Sequence, residues 1–176
     1  MPSTFPQALE QGVLIFDGPM GTELYRRHVF TNRCFDELCL SETELIREIH
    51  ADYCEAGAEV LTTNTFGANR VALGKFGLAD RVGDINRAGA RIARQVADEA
   101  GRPVFVAGSI GPLPTQPQYQ AIVEQMIAEQ VASLREGGVD FILIETMLDL
   151  REAKAAVLAA KEEEMQAPMP GQAVLE

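Results

Sequence analysis

Four short apolar runs constrain this chain more than any other feature: Val13 to Phe16, Val60 to Leu61 running into Thr62-Thr63, Val104 to Ala107, and Phe141 to Ile144. Each is rich in Val, Ile, Leu or Phe and nearly continuous rather than alternating, which is how strands buried on both faces of a parallel sheet look. The segments between them carry helical spacing. Leu45, Ile49, Tyr53 and Ala56 keep that spacing until Gly57, with Ser41 and Glu44 reading as a capping box ahead of them. Val82, Ile85, Gly89, Ile92 and Val96 form a second stripe, and Val123, Ile127, Val131 and Leu134 a third that Gly137-Gly138 stops. Leu150, Ala153, Val157 and Ala160 form a fourth, expected to fray at Glu162-Glu163-Glu164 because acidic residues suit a helix's first turn better than its last.

The order is β-α four times over, with strands roughly forty residues apart. A dinucleotide-binding sheet calls for G-x-G-x-x-G after a strand, but Asp17-Gly18-Pro19-Met20-Gly21-Thr22 follows the first one, and no P-loop is present. A TIM barrel remains; it needs eight units and roughly 250 residues. The 176 residues hold about half of that. The expected fold class is α/β, the first four βα units of a TIM (β/α)8 barrel, truncated. One domain is expected over residues 1–176, ending in an irregular tail over 165–176, where Pro and Gly are frequent.

In such a barrel the chemistry sits at the C-terminal ends of the strands. Those positions hold Asp17-Gly18, Asn64-Thr65, Gly108-Ser109 and Glu145-Thr146. Two carboxylates, an amide and small hydroxyls are thus expected on one face. Buried carboxylates are costly unless paired, and a ligand ammonium would pair with both. Gly18, Gly21, Gly108 and Gly111 would let the backbone approach a ligand. The bland alternatives are an ordinary turn at Asp17-Gly18 and an Asn64 amide that merely holds loop backbone.

Other residues point away from chemistry. Cys34, Cys39 and Cys54 have no standard zinc spacing; Cys39 and Cys54 read as small buried residues, and His50 as the flank of a helix. Neither histidine lies at an expected strand end, so no Ser-His-Asp arrangement is suggested. With 26 acidic against 15 basic residues, a net charge of -11, nucleic acid is excluded as a partner. A start without a basic segment, no long apolar stretch and an odd count of three cysteines lead to the expectation of a cytoplasmic protein with reduced thiols and no membrane segment.

The stretches LIFDGPMGTELYRR, CFDELCLSETELIREIHADYCEAGAEVLTTNTFGANR, VFVAGSIGPL and DFILIETM resemble the homocysteine S-methyltransferase family. The wording looks closest to the bacterial type fused to a methylenetetrahydrofolate reductase, and the homocysteine domain of cobalamin-dependent methionine synthase is a near relative. The resemblance implies a (β/α)8 barrel that methylates homocysteine to methionine, with a zinc ion held by three cysteines binding the substrate sulfur as the nucleophilic thiolate. On this resemblance Asp17, Gly18 and Glu145 hold the amino-acid end of homocysteine, and Asn64 and Thr65 line the same pocket.

Two departures stand out. Pro19 replaces the usual alanine or glycine, which stiffens the loop. The family's zinc cysteines sit in later strands, in an Asn-Cys and a Gly-Gly-Cys-Cys-type stretch that this sequence does not contain, and Cys34, Cys39 and Cys54 do not match them. No catalytic or metal-binding residue is therefore assigned. The expectation is a chain that binds homocysteine but is inactive alone, or a non-catalytic half-barrel that joins a complementary half, or itself, through open strand edges. The methyl donor, methylcobalamin or a methylfolate among others, is not fixed by these residues. An acid/base pair acting on a sugar is a third reading of Asp17 and Glu145, which the family resemblance disfavours.

Overall fold

The computed structural model describes residues 4–30, 33–113 and 122–166, with side chains placed as far as residue 161. The expected α/β class is observed. Strands β1 (Val60–Thr62), β2 (Phe105–Ile110) and β3 (Phe141–Ile144) form a three-stranded parallel sheet in the order β1-β2-β3. Register runs Val60 to Phe105 across the first pair and Ala107 to Phe141 across the second.

Side chains alternate between two faces. Leu61, Val106 and Ile110 point into the main core. There they meet α6 (Val82–Glu99) and α7 (Val123–Glu136) through Ala90, Ala93, Val96, Ile127, Val131 and Leu134. The second and third stripes read from the sequence are the buried faces of these two helices, which approach so closely that a Cβ on Gly137 would lie 2.4 Å from that of Ala90. Val60, Phe105 and Ala107 turn to the opposite face with Ala8 of α1 (Phe5–Gln11). Thr4 caps α1, its hydroxyl accepting from the Gln7 N–H. Phe5 stacks on Phe141 with ring centroids 3.9 Å apart and meets Phe105 edge-on at 5.7 Å. Helix α1 thus closes the N-terminal end of the sheet with aromatic packing.

The remaining helices flank this frame: α2 (Met20–Arg26), α3 (Leu38–Ser41), α4 (Thr43–Glu55), α5 (Arg70–Gly74) and α8 (Leu150–Gln166). Leu24, Leu38, Ile46, Ile49 and Ile92 join α2, α3, α4 and α6 in a second apolar cluster. Gly57, at φ +107, reverses the chain after α4 and delivers it to β1, as its position in the sequence predicts.

Five expectations need correction. The Val13 to Phe16 run is not a full strand: only Phe16 bridges, in parallel, to Val60. Val13 is 89% and Ile15 61% exposed, because the run pairs on one side only, through bonds such as Glu59 N–H to Ile15 O at 2.7 Å. Ser41 is not a cap. It is the last residue of α3, its hydroxyl donates to Glu37, and α4 begins at Thr43 with Glu42 at the cap and no side-chain bond there. Strand β2 runs on through Gly108-Ser109 to Ile110, so that pair lies within the strand. On α8 the buried stripe is Glu152, Ala155, Ala156 and Ala159, whereas Leu150 is 84% exposed and Val157 and Leu158 are also exposed. The stripe slips because the Glu152 carboxylate turns inward to accept the Leu113 N–H at 3.2 Å. The helix also takes in Met165 and Gln166, the first residues of the expected tail; the rest of that tail lies outside the described residues.

Candidate functional site

The C-terminal end of the sheet contrasts with its aromatic base. Asp17 follows the Phe16 bridge, and its N–H donates to Val60 O at 2.9 Å. Its side chain is 3% exposed, and Oδ2 accepts the Thr62 N–H at 2.8 Å. Burial pushes this carboxyl up to about 6; bonds from Thr62 pull it down, and the charge of Glu145 adds to the rise. Asp17 and Glu145 therefore sit at one end of the sheet, within electrostatic reach of each other.

Glu145 leaves β3 with its N–H on Ile110 O at 3.1 Å, and its Oε1 accepts the Ser109 hydroxyl at 2.6 Å. The next residue, Thr146, has φ 60, a left-handed conformation that a β-branched residue holds only under strain. The turn that presents Glu145 is thus fixed from both sides, by a short hydrogen bond and by an unusual torsion.

Under Glu145 lies a closed set of hydroxyl bonds. The Thr65 hydroxyl donates to Ser109 O at 2.9 Å, which leaves its oxygen to accept from Thr63, 2.6 Å away. Thr63 Oγ1 in turn accepts the Ser109 N–H at 3.0 Å. Thr65 is fully buried and Gln130 donates to its carbonyl at 2.8 Å, so its polar atoms serve the wall between β1 and β2. Asn64 likewise turns its amide to Phe35 O at 2.7 Å and accepts the Cys39 thiol on its carbonyl at 3.4 Å. The next turn is held by Asp36, whose carboxylate accepts the Gly67 N–H at 2.9 Å and is pushed up to about 6 by burial.

Gly18 is needed for a neighbour inside the protein. A Cβ there would lie 2.8 Å from the Tyr53 ring, which crosses the loop and donates its hydroxyl to Pro19 O at 3.3 Å. Gly111 similarly seats Phe66, whose ring atoms lie 2.6 Å from where a Cβ would stand. The close approaches expected of a ligand at these two glycines are made by aromatic side chains.

Sequence reasoning missed His50. It lies on α4 with Ile46 and Ile49, is fully buried, and puts Nδ1 4.0 Å from Asp17 Oδ2. Burial lowers its pKa to about 4, so it is neutral. Ser109 was expected at this end of the sheet, but its hydroxyl bond to Glu145 and the support it receives from Thr63 were not foreseen. The available signal was period two along β2, which puts Ser109 on the same face as Phe105 and Ala107.

The cysteines do not form a zinc site. Cys39 is pushed up to about 12 by burial and Cys34 is raised for the same reason. Cys54 lies apart from them beside Arg102, with Nη2 3.7 Å from its sulfur. Among the described residues, no three His, Cys, Asp or Glu side chains group as metal ligands. Among those residues too, no helix is long and apolar enough to cross a membrane.

With this geometry in place, residues 14–174 match the family described as homocysteine S-methyltransferase. The chain belongs to the homocysteine S-methyltransferase family. It is 39% identical over 166 residues to a methionine synthase of Mycobacterium tuberculosis (strain ATCC 25618 / H37Rv), a match covering 87% of this chain and 14% of that protein. It is 37% identical over 169 residues to the methionine synthase of Mycobacterium leprae (strain TN), covering 88% and 14% respectively. The chain therefore spans about a seventh of the length of these relatives. Its fold is similar to the metallated form of the homocysteine methyltransferase MmuM from Escherichia coli, with a TM-score of 0.78 at 24% identity, over 89% of this chain and 62% of that one. The homocysteine S-methyltransferase resemblance read from the motifs is thereby upheld.

Proposed function

We propose that this chain carries the part of a homocysteine S-methyltransferase barrel that grips the amino-acid end of homocysteine, within a reaction that transfers a methyl group to homocysteine and yields methionine. One observation carries the reading: Asp17 and Glu145, two carboxylates at the same end of the sheet, interact through their charges while each is oriented by a partner within the protein. Like charges held together in a half-buried site favour a cation between them, and the homocysteine ammonium is such a cation. In this reading Asp17 and Glu145 bind the ammonium, Gly18 lets Tyr53 close the loop behind it, and Asn64 and Thr65 hold the pocket wall. The four strand ends, counting the Phe16 bridge, correspond to the first four βα units of a (β/α)8 barrel.

The family's zinc chemistry is not assigned to Cys34, Cys39 or Cys54, since among the described residues no three His, Cys, Asp or Glu side chains group as ligands. We assign no step to a metal within this chain. These residues bind homocysteine without activating its sulfur, so methyl transfer by this chain alone is not expected, whatever the donor. The exposed edges at Val13–Phe16 and the half-exposed β3 fit a second reading, a half-barrel that pairs with a complementary half or with itself. A cytoplasmic location suits a chain whose thiols are all free.

Titration calorimetry with L-homocysteine tests the first reading. Binding is expected for the wild-type chain and roughly tenfold or greater weakening for Asp17→Asn and Glu145→Gln. Unaltered affinity in both variants would refute it. Zinc-dependent methionine formation by the purified chain would refute the assignment of an inactive portion.

A further inference from the structure

Helix α4 crosses behind the Phe16 bridge and presents His50 to the inner side of Asp17. The imidazole is completely enclosed, and among the described residues neither ring nitrogen has a hydrogen-bond partner. A buried polar group without a partner is unusual enough to require a reason. Its Nδ1 lies 4.0 Å from Asp17 Oδ2, longer than a hydrogen bond, and an approach of about 1 Å would make one.

We propose that His50 is a positioning residue: in its neutral form, with the proton on Nδ1, it serves Asp17 as a donor beside the Thr62 N–H and so aligns the carboxylate for the substrate ammonium. This deepens the reading of the site given above and rests on it. Its chemistry follows from what a carboxylate needs when it must remain an anion away from water and still be available to a cation. A lysine or arginine behind Asp17 would form an ion pair with it and compete with the ligand ammonium. A neutral imidazole supplies an N–H without a positive charge, and a carboxylate facing one ring nitrogen selects the tautomer protonated there. The complete burial of His50 keeps it uncharged across the range in which Asp17 ionises.

The other groups that meet Asp17 cannot take this part. Thr62 of β1 already donates to the carboxylate. Tyr53 of α4 spends its hydroxyl on Pro19 O, and its ring covers Gly18. Glu145, from the end of β3, acts on Asp17 as a like charge.

The test is nuclear magnetic resonance on the whole chain, following the Asp17 side-chain carbonyl carbon and the His50 ring nitrogens from pH 4.5 to 8, joined to homocysteine calorimetry. In the wild-type chain His50 is expected to be neutral and protonated at Nδ1 from pH 5.5 upward. His50→Phe should raise the Asp17 midpoint by about one pH unit. His50→Asn, whose amide nitrogen stands near the place of Nδ1, should bring it back towards the wild-type value. A proton on Nε2 in the wild-type chain, or an Asp17 midpoint unmoved by His50→Phe, overturns the proposal; the tautomer decides the matter even if that variant does not fold. If homocysteine binds and Asp17→Asn abolishes binding while His50→Phe leaves the midpoint alone, the ammonium site stands and the role of His50 falls. If the midpoint moves but the wild-type chain does not bind homocysteine, the contact of His50 with Asp17 is real and the ligand assignment falls, taking the alignment role with it.

Discussion

The two ends of the same parallel sheet are built from opposite materials. At the N-terminal end Phe5, Phe105 and Phe141 pack ring against ring, and the nearby carboxylate of Asp140 is paired with Arg94. At the C-terminal end a neutral His50, three interlocked hydroxyl residues and a strained Thr146 surround two carboxylates, Asp17 and Glu145. The aromatic end gains free energy on folding through apolar burial. The polar end loses some, because desolvating a carboxylate costs more than one N–H returns. A sheet that carries both separates its apolar packing from its buried carboxylate along its own strands.

Substitutions at the two ends should therefore fail in different ways. The largest effect is expected at the aromatic end. Phe5→Ala removes the stacking on Phe141 and should lower stability to urea by about 2–3 kcal/mol, with homocysteine affinity left within a factor of about two. A loss of affinity matching the loss of stability would mean that the ends are not separate. At the polar end Asp17→Asn should do the converse. Affinity for homocysteine falls roughly thirtyfold, about 2 kcal/mol, while the urea midpoint at pH 7 is held or raised. A lowered midpoint would show that Asp17 stabilises the fold.

The pH dependence sharpens the contrast. Asp17 has its pKa raised from 3.8 to about 6 in the folded chain, so the folded state binds its proton more tightly than the unfolded state does. That contribution to stability is fully present below about pH 4 and is lost as pH rises through about 6. Asp36 acts in the same direction, its carboxyl also being raised to about 6. His50 opposes both: with a folded pKa of about 4 against 6.5, its contribution is present at neutral pH and is lost as pH falls. The single-site difference is thus the informative quantity. Stability of Asp17→Asn relative to wild type should rise by about 1–2 kcal/mol between pH 4 and pH 7. A flat difference would show that the buried carboxylate carries no such cost. Homocysteine binding should run the other way and weaken as pH drops below 6, because the ammonium needs the ionised form.

The smallest effect belongs to Ser109→Ala. Glu145 loses the hydroxyl at 2.6 Å that orients it, and affinity should fall about fivefold, near 1 kcal/mol. Calorimetry that finds no change would place the orienting force wholly in the turn at Thr146.

What the sequence disclosed follows the same division. Strand β3 spans the residues of its apolar run, and α6 and α7 bury the stripes their spacing foretells, because continuous apolar runs and helical periodicity are local patterns. The positions of Asp17 and Glu145 were legible as the polar residues at which two such runs stop. Their partners were not. His50 reads as a helix-flank residue because its meaning depends on Asp17, 33 positions earlier, lying across from it. The amide of Asn64 finds Phe35, and the carboxylate of Glu152 finds Leu113, over separations that no short window contains. The misread α8 stripe and the lone bridge at Phe16 have the same origin: which face is buried depends on what packs beside it.

The left-handed turn at Thr146 has an effect beyond the carboxylate it follows. It sets the direction in which the chain departs from β3 on its way to α8, whose Glu152 accepts the Leu113 N–H beyond the end of β2. Relaxing that one torsion into an ordinary conformation would redirect the connecting segment as well as Glu145. The orientation of Glu145 and the path towards α8 (Leu150–Gln166) thus share one turn, and a substitution that changes that turn would bear on both.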